Sequence, residues 1–359
     1  MKILHYVDEN RLAWGETWIQ LIKELSRQGV ENHVVCKSGG TLAGRLADEG
    51  LSYDTCDVPV ACLPWTAPIF GRIIDAVKPD IIHTRLSSAA RIGGWWGKRK
   101  NIPVIQTVDK YPKAYYHKNA TFLIACSQSI KDHMLSLGFP DEFIGVIANP
   151  IEIAKYTRDY AVRDSMRIKY GIQPDNKVLI AAGRFVEWKG FDVLIKAYSI
   201  CCKNGDACFA NKTKLFLLGD GEENVALRAL VDSLHLTGNV IMPGFVQDIR
   251  PYLWASDIFV LPSKEPEPFG IILLEAMASG LAPVATRAGG PLDIIKDGIN
   301  GWLVQMGKVD DLSNKLNEAI LSEENISNIS NAAVASMSHF DVSIVASNTI
   351  ELYRNFIVN

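Results

Sequence analysis

The sequence predicts an α/β protein built from two parallel-sheet domains that face each other across a cleft. Three observations carry this expectation. Short apolar runs alternate with amphipathic stretches along nearly the whole chain. The alternation comes in two series separated by a polar stretch. The 359 residues also exceed what one hydrophobic core usually serves, since single domains run to roughly 100–200 residues.

The first series places strands at 2–7, 33–36, 81–84, 104–107, 122–126 and 144–147, and helices at 17–28, 41–49, 70–77, 89–100 and 128–137. Strand–helix–strand repetition with apolar strands implies a parallel sheet covered on both faces, a Rossmann-like arrangement. Ala148-Asn149-Pro150 ends that series, and a polar stretch follows over 156–176. The second series has strands at 177–181, 214–218, 240–242, 257–261 and 282–286, with helical stretches at 185–201, 224–234 and 271–279. The expected division is 1–150, 151–340 and a terminal helix in 341–359 that packs back on the first domain. Ligands of such sheets bind at the carboxyl ends of the strands, so the crevice between the domains is the expected site.

Composition narrows the class. Apolar residues make up 48% and charged residues 21%, an ordinary globular balance. A net charge of −3 excludes a general affinity for nucleic acid. The seven cysteines are odd in number and form no Cys-x-x-Cys pair, so the expectation is buried thiols in a reducing compartment, without a zinc site. The N-terminus lacks the apolar core of a signal peptide. No apolar run reaches the ~20 residues that span a bilayer. A cytoplasmic location is expected, with any attachment to the inner face of the membrane peripheral.

The most informative segment is 263–280. Glu265-Pro266-Glu267-Pro268-Phe269-Gly270 forms a loop after an apolar strand, and the helix that follows ends at Gly280. Glu267 therefore lies at a strand's carboxyl end, and Glu275 lies one turn into the helix. The helix N-terminus offers unpaired N–H groups and partial positive charge, which suit a diphosphate. A loop carboxylate there is placed for sugar hydroxyls, and a carboxylate on the helix for a ribose diol. Arg184 and Lys189 bracket a turn after another strand, where two cations stabilise a diphosphate and a departing nucleotide. The segments Gly219-Asp220-Gly221-Glu222, Gly244-Phe245-Val246 and Gly289-Gly290-Pro291 follow in order, and Phe245 is placed to border a nucleobase. Taken singly, each of these residues is also what a solvated loop or helix start contains.

In this order the pieces resemble the retaining glycosyltransferases of family 4, in the GT-B class of two facing Rossmann-like domains. Glu267 and Glu275 match the family's pair of glutamates separated by seven residues, with Pro-Phe-Gly between them. The resemblance implies that the N-terminal domain takes the acceptor and that 151–340 takes the nucleotide sugar. It implies that Glu267 contacts the donor sugar, that Glu275 contacts the ribose and that Arg184 and Lys189 hold the diphosphate. The backbone at Phe269, Gly270 and Ile271 adds N–H groups to that grip. The implied reaction moves a hexose from UDP or GDP with retention of configuration. Asp-x-Asp is absent, so no metal is expected, and no other cofactor is expected either.

Two positions depart from the family. Its glycine-rich turn after the first strand, where a glycine approaches the donor phosphate, is matched only by Gly15, which the resemblance makes a donor-binding residue. Asp109 stands where the family often carries a histidine, and a carboxylate there suits an acceptor or sugar hydroxyl. Basic and aromatic residues alternate between Arg85 and Lys118. Arg91, Trp95, Trp96, Lys98, Arg99 and Lys100 form the patch expected to meet a glycan or glycolipid acceptor, or an anionic membrane surface. The expected function is hexose transfer in lipopolysaccharide or other envelope glycan synthesis. The alternatives are a nucleotide-sugar epimerase or hydrolase, and a catalytically silent partner subunit.

Overall fold

The structure is a computed structural model that describes all residues except 12–14, 61–62, 205–207 and 358–359. Cys62 lies outside the described residues. The chain forms two compact units, Met1–Glu152 with His339–Asn359, and Ile153–Ser338.

The first unit contains the strands β1 (Lys2–Val7), β2 (Glu31–Cys36), β3 (Tyr53–Thr55), β4 (Ile81–Arg85), β5 (Val104–Val108), β6 (Phe122–Ala125) and β7 (Ile144–Val146). They form one parallel sheet in the order β3-β2-β1-β4-β5-β6-β7. The second unit contains β8 (Lys177–Ala182), β9 (Thr213–Leu218), β10 (Val240–Gly244), β11 (Ile258–Leu261), β12 (Ala282–Thr286) and β13 (Trp302–Val304). Their order is β10-β9-β8-β11-β12-β13, again parallel. Both sheets are doubly wound. The chain reverses its direction of travel between β1 and β4 in the first, and between β8 and β11 in the second. Loops that leave those strands on the carboxyl side diverge and open a crevice.

Burial explains why the strands read as unbroken apolar runs. Every residue of β11 and β12 is buried, as a sheet covered on both faces requires. Helix Val342–Arg354 belongs to the first unit. Val345, Ala346, Ile350 and Tyr353 join Ile3, Leu25, Ile81 and Ile105 in one buried cluster. Asp341 caps this helix by accepting from the Ser343 backbone N–H at 3.0 Å.

The polar stretch over 156–176 is not an open linker. It contains helix Tyr160–Lys169, capped by Asp159. Its arginines point inward: Arg163 donates to Asp257 at 2.8 Å and to the Trp254 carbonyl at 2.7 Å. Arg167 donates to the carbonyls of Asn176 at 2.6 Å and Ala255 at 3.1 Å. Their charge made the segment read as solvated, while hydrogen bonding to backbone carbonyls is what buries Arg167. Two short strands, β3 and β13, and helices Val309–Leu321 and Glu323–Ser336 were also not expected. Among the described cysteines, Cys36, Cys56, Cys126 and Cys201 are buried, and burial pushes the Cys56 thiol up to about 12.

Candidate active site

In the second unit, loops from several strand ends are laced together by backbone hydrogen bonds. Gly183 after β8 donates to the Leu218 carbonyl at 3.0 Å, and Gly219 after β9 donates to the Gly244 carbonyl at 2.9 Å. Lys264 after β11 donates to the Trp188 carbonyl at 2.7 Å, and Gly290 after β12 donates to the Glu267 carbonyl at 2.8 Å. These approaches need glycine. At Gly190 (φ +69°) a Cβ would stand 2.0 Å from the Pro262 oxygen, and at Gly289 (φ +69°) it would stand 2.1 Å from the Glu267 oxygen. The loops leaving β8 and β11, which flank the reversal point, are thus held against each other.

Lys189 and Glu267 meet there. The Lys189 ammonium donates to Glu267 Oε1 at 2.5 Å, and the Ser263 hydroxyl donates to the same oxygen at 2.9 Å. Glu267 is 5% exposed, so its carboxylate depends on these donors for the hydration it has lost. Lys189 also lies 4.2 Å from the centroid of the Trp188 ring, a cation–π contact that adds to its hold. Helix Ile271–Ala278 begins just beyond, with Gly270 as its N-cap at φ +100° and Phe269 buried before it.

Glu275 sits on that helix and accepts from the Tyr156 hydroxyl at 2.8 Å. The residue is half-buried. Loss of solvent pushes its carboxyl up to about 7, and the tyrosine hydrogen bond opposes the rise. Arg184 turns outward instead, pairing at 2.6 Å with Glu222 after β9, and both side chains are mostly exposed. Phe245 is 77% exposed beside the Gly219–Gly244 bond. Arg184, Lys189, Gly219, Phe245, Glu267, Phe269, Gly270, Ile271 and Glu275 therefore all belong to the second unit, on or near the carboxyl side of one sheet.

Gly15 and Asp109 belong to the first unit. Gly15 is the N-cap of helix Glu16–Arg27, at φ −82°, a conformation open to any residue. Asp109 follows β5 and is held by Arg85 from the end of β4, which donates through Nε and Nη2 at 2.6 Å each. Arg85 also donates to Asn149 after β7. Arg85 is 6% exposed, so it stands apart from the exposed basic patch in which its place in the sequence had put it.

The patch divides on helix Ser87–Lys100. Trp96 donates from its indole to the Pro64 carbonyl at 3.1 Å and covers Gly71, so it packs the unit's own interior. Lys100 pairs with Asp75 at 2.6 Å. Arg91 lies over Tyr115, and Arg99 over Trp95, with Lys98 and Arg99 exposed. Lys98 lines an open cavity of about 660 Å³ with Asn101, Lys118 and Phe356. That cavity is at the amino ends of β5 and β6, the opposite edge from Asp109.

The contacts that Ser263, Tyr156, Glu222, Arg85 and Asn149 make here could not be read from the sequence. Ser263 lies four residues before Glu267, but Tyr156 and Glu275 are 119 positions apart, and their contact leaves no local pattern.

Comparison with known proteins matches this arrangement. The profile "Glycosyl transferases group 1" matches residues 162–335, and "Glycosyltransferase Family 4" matches residues 15–155. The lipopolysaccharide core biosynthesis glycosyltransferase LpsE of Rhizobium meliloti (strain 1021) is 28% identical over 325 residues, covering 89% of each chain. The N-acetyl-alpha-D-glucosaminyl L-malate synthase of Bacillus anthracis is 31% identical over 202 residues, 56% of this chain and 50% of its own. Anabaena HepE, crystallised in complex with UDP, superposes with a TM-score of 0.87 at 23% identity, covering 99% of this chain and 100% of its own. With two doubly wound sheets and both halves matched in order, the chain belongs to the family 4 glycosyltransferases of the GT-B class.

Proposed function

We propose that the chain is a retaining, metal-independent hexosyltransferase that uses a nucleotide-diphosphate sugar in envelope glycan synthesis. The observation that carries the reading is the Lys189–Glu267 pair, set between two loops at the reversal point beside a helix N-terminus. A cation and a helix N-terminus there suit a diphosphate, and the buried carboxylate beside them suits the hydroxyls of the attached sugar. Arg184 is the second cation. It precedes Lys189 on the same loop, and a bound diphosphate would compete with Glu222 for it. Gly219 and Phe245 border the same strand ends, and Glu275 is assigned to the ribose.

With two cations and a helix tip to take up charge on the leaving diphosphate, the chemistry asks for no metal. The nucleotide is assigned as a uridine or guanosine diphosphate; complexes of HepE with UDP and with UDP-glucose favour uridine. The acceptor is assigned to the first unit through Asp109, and on the outer face of helix Ser87–Lys100 the residues Arg91, Trp95, Lys98 and Arg99 suit an anionic glycolipid or membrane surface. Names of relatives place them in lipopolysaccharide core synthesis and in galactosyl transfer to a diphosphoundecaprenol-linked sugar. No helix among the described residues is long and apolar enough to cross a membrane.

The test is a screen of UDP- and GDP-hexoses against lipopolysaccharide cores and undecaprenyl-diphosphate sugars, read by mass spectrometry and by the anomeric coupling of the product. Glu267→Gln keeps the shape of the site and should lower turnover by about 10²-fold or more, with Tm little changed. Turnover by Glu267→Gln or Lys189→Ala at the wild-type rate would overturn the donor assignment. Inversion at the anomeric carbon, or inhibition by a chelator, would overturn the mechanism.

A further inference from the structure

Arg85 poses a problem that packing does not solve. A guanidinium at 6% exposure has lost nearly all its hydration, and a protein retains such a group only when its donors are met. Burial works against its charge, yet Asp109 outweighs that and raises its pKa. The partners come from separate strand ends: Asp109 after β5 and Asn149 after β7, with Arg85 itself closing β4. All three sit on the carboxyl edge of the first sheet, beside its β1/β4 reversal point.

The geometry of the pair is directional. Arg85 Nε meets one Asp109 oxygen and Nη2 the other, the fork-on-carboxylate arrangement that fixes a carboxylate in plane. A carboxylate has about four lone-pair directions, and the fork occupies two of them. The Asp109 side chain is 16% exposed against 8% for Arg85, so the open side of the pair is the carboxylate side. The arginine lies behind the carboxylate.

We infer that Arg85 and Asn149 are positioning residues that present the Asp109 carboxylate, in one orientation, as a two-point hydrogen-bond acceptor for neighbouring hydroxyls of the acceptor sugar. This rests on the assignment of the acceptor to the first unit. The ligand class follows: adjacent neutral hydroxyls, which donate to both free lone pairs, bind better than a phosphate or carboxylate, which the oxygens repel.

The experiment uses the full chain and the donor–acceptor pair selected in the screen above, and measures KM for each substrate separately. Asp109→Asn, Arg85→Lys and Asn149→Ala should each raise acceptor KM, by about tenfold for the first two, and leave donor KM within about twofold. Because the residues act as one unit, Arg85→Lys combined with Asp109→Asn should cost no more than the worse single change. Tyr353→Phe is the structural control. It removes the buried hydrogen bond to His83 in the same unit and should lower Tm without moving acceptor KM.

Variants at Arg85 and Asn149 that lower Tm but leave acceptor KM unchanged would overturn the inference, as would equal changes in both KM values or additive losses in the double variant. An acceptor that tolerates removal of either neighbouring hydroxyl would do the same. Failure of the donor reading shows separately, as undiminished turnover by Glu267→Gln or Lys189→Ala. If no donor–acceptor pair turns over, the envelope-transferase proposal falls, and this inference falls with it.

Discussion

Glu275 is a carboxylate under tension between two demands. Desolvation holds its pKa near 7 in the folded chain, while an exposed glutamate in the unfolded chain titrates near 4.5. Its neutral form is therefore the one the fold prefers. The stability tied to that preference is complete below pH 4.5 and is lost as pH rises through 7, up to about 3 kcal/mol. Glu275→Gln should accordingly melt higher than wild type at pH 8 and at the same temperature at pH 4. In the same variant, affinity for UDP should fall by about tenfold, since an amide has only one acceptor atom for a diol. Thermal melts across pH and calorimetric titration with UDP check the two halves.

At the scale of elements, the glycine-laced loops set the position of Glu267. Gly289→Ala forces a side chain to φ +69° and against the Glu267 carbonyl, where the obstacle is backbone and cannot swing aside. The expected cost is about 2–4 kcal/mol, with turnover falling further than stability because Glu267 is the piece displaced. Gly29→Ala is the matched control: φ is +91°, nothing lies within 4 Å, and only the backbone strain of about 1 kcal/mol should remain. Comparing Tm and turnover of the two variants separates strain from displacement.

The same loops show what could be read in advance. Pro266-Glu267-Pro268-Phe269-Gly270 before an apolar helix declares a loop and a helix start, because proline, glycine and helix capping act over a few residues. Arg184 and Lys189 could be placed at a strand end for the same reason. What escaped are pairings set by the sheet order: Lys189 with Glu267 across 78 positions, Arg85 with Asn149 across 64, and Tyr156 with Glu275. Helix Tyr160–Lys169 was missed because its one buried side chain is Arg167, and hydrophobic periodicity carries no mark of a charge that is satisfied by carbonyls.

For the molecule as a whole, the units differ in how they are assembled from the chain. Ile153–Ser338 is continuous, whereas the first unit is closed by a segment from the other end. Tyr353 hydrogen-bonds the buried His83 of β4, and Val345, Ala346 and Ile350 complete a cluster begun by Ile3. Removing residues 341–359 should therefore unfold the N-terminal unit and leave the C-terminal one intact. A chain ending at residue 340 should show amide exchange protection retained over β8–β13 and lost over β1–β7.

On the ribosome this order of arrival matters. The half made first keeps an uncovered apolar surface until the helix Val342–Arg354 has been synthesised, while the half made second is continuous in the chain. Maturation of the first unit then runs backwards relative to synthesis, and the codons for that helix govern whether the opening sheet ever becomes solvent-tight.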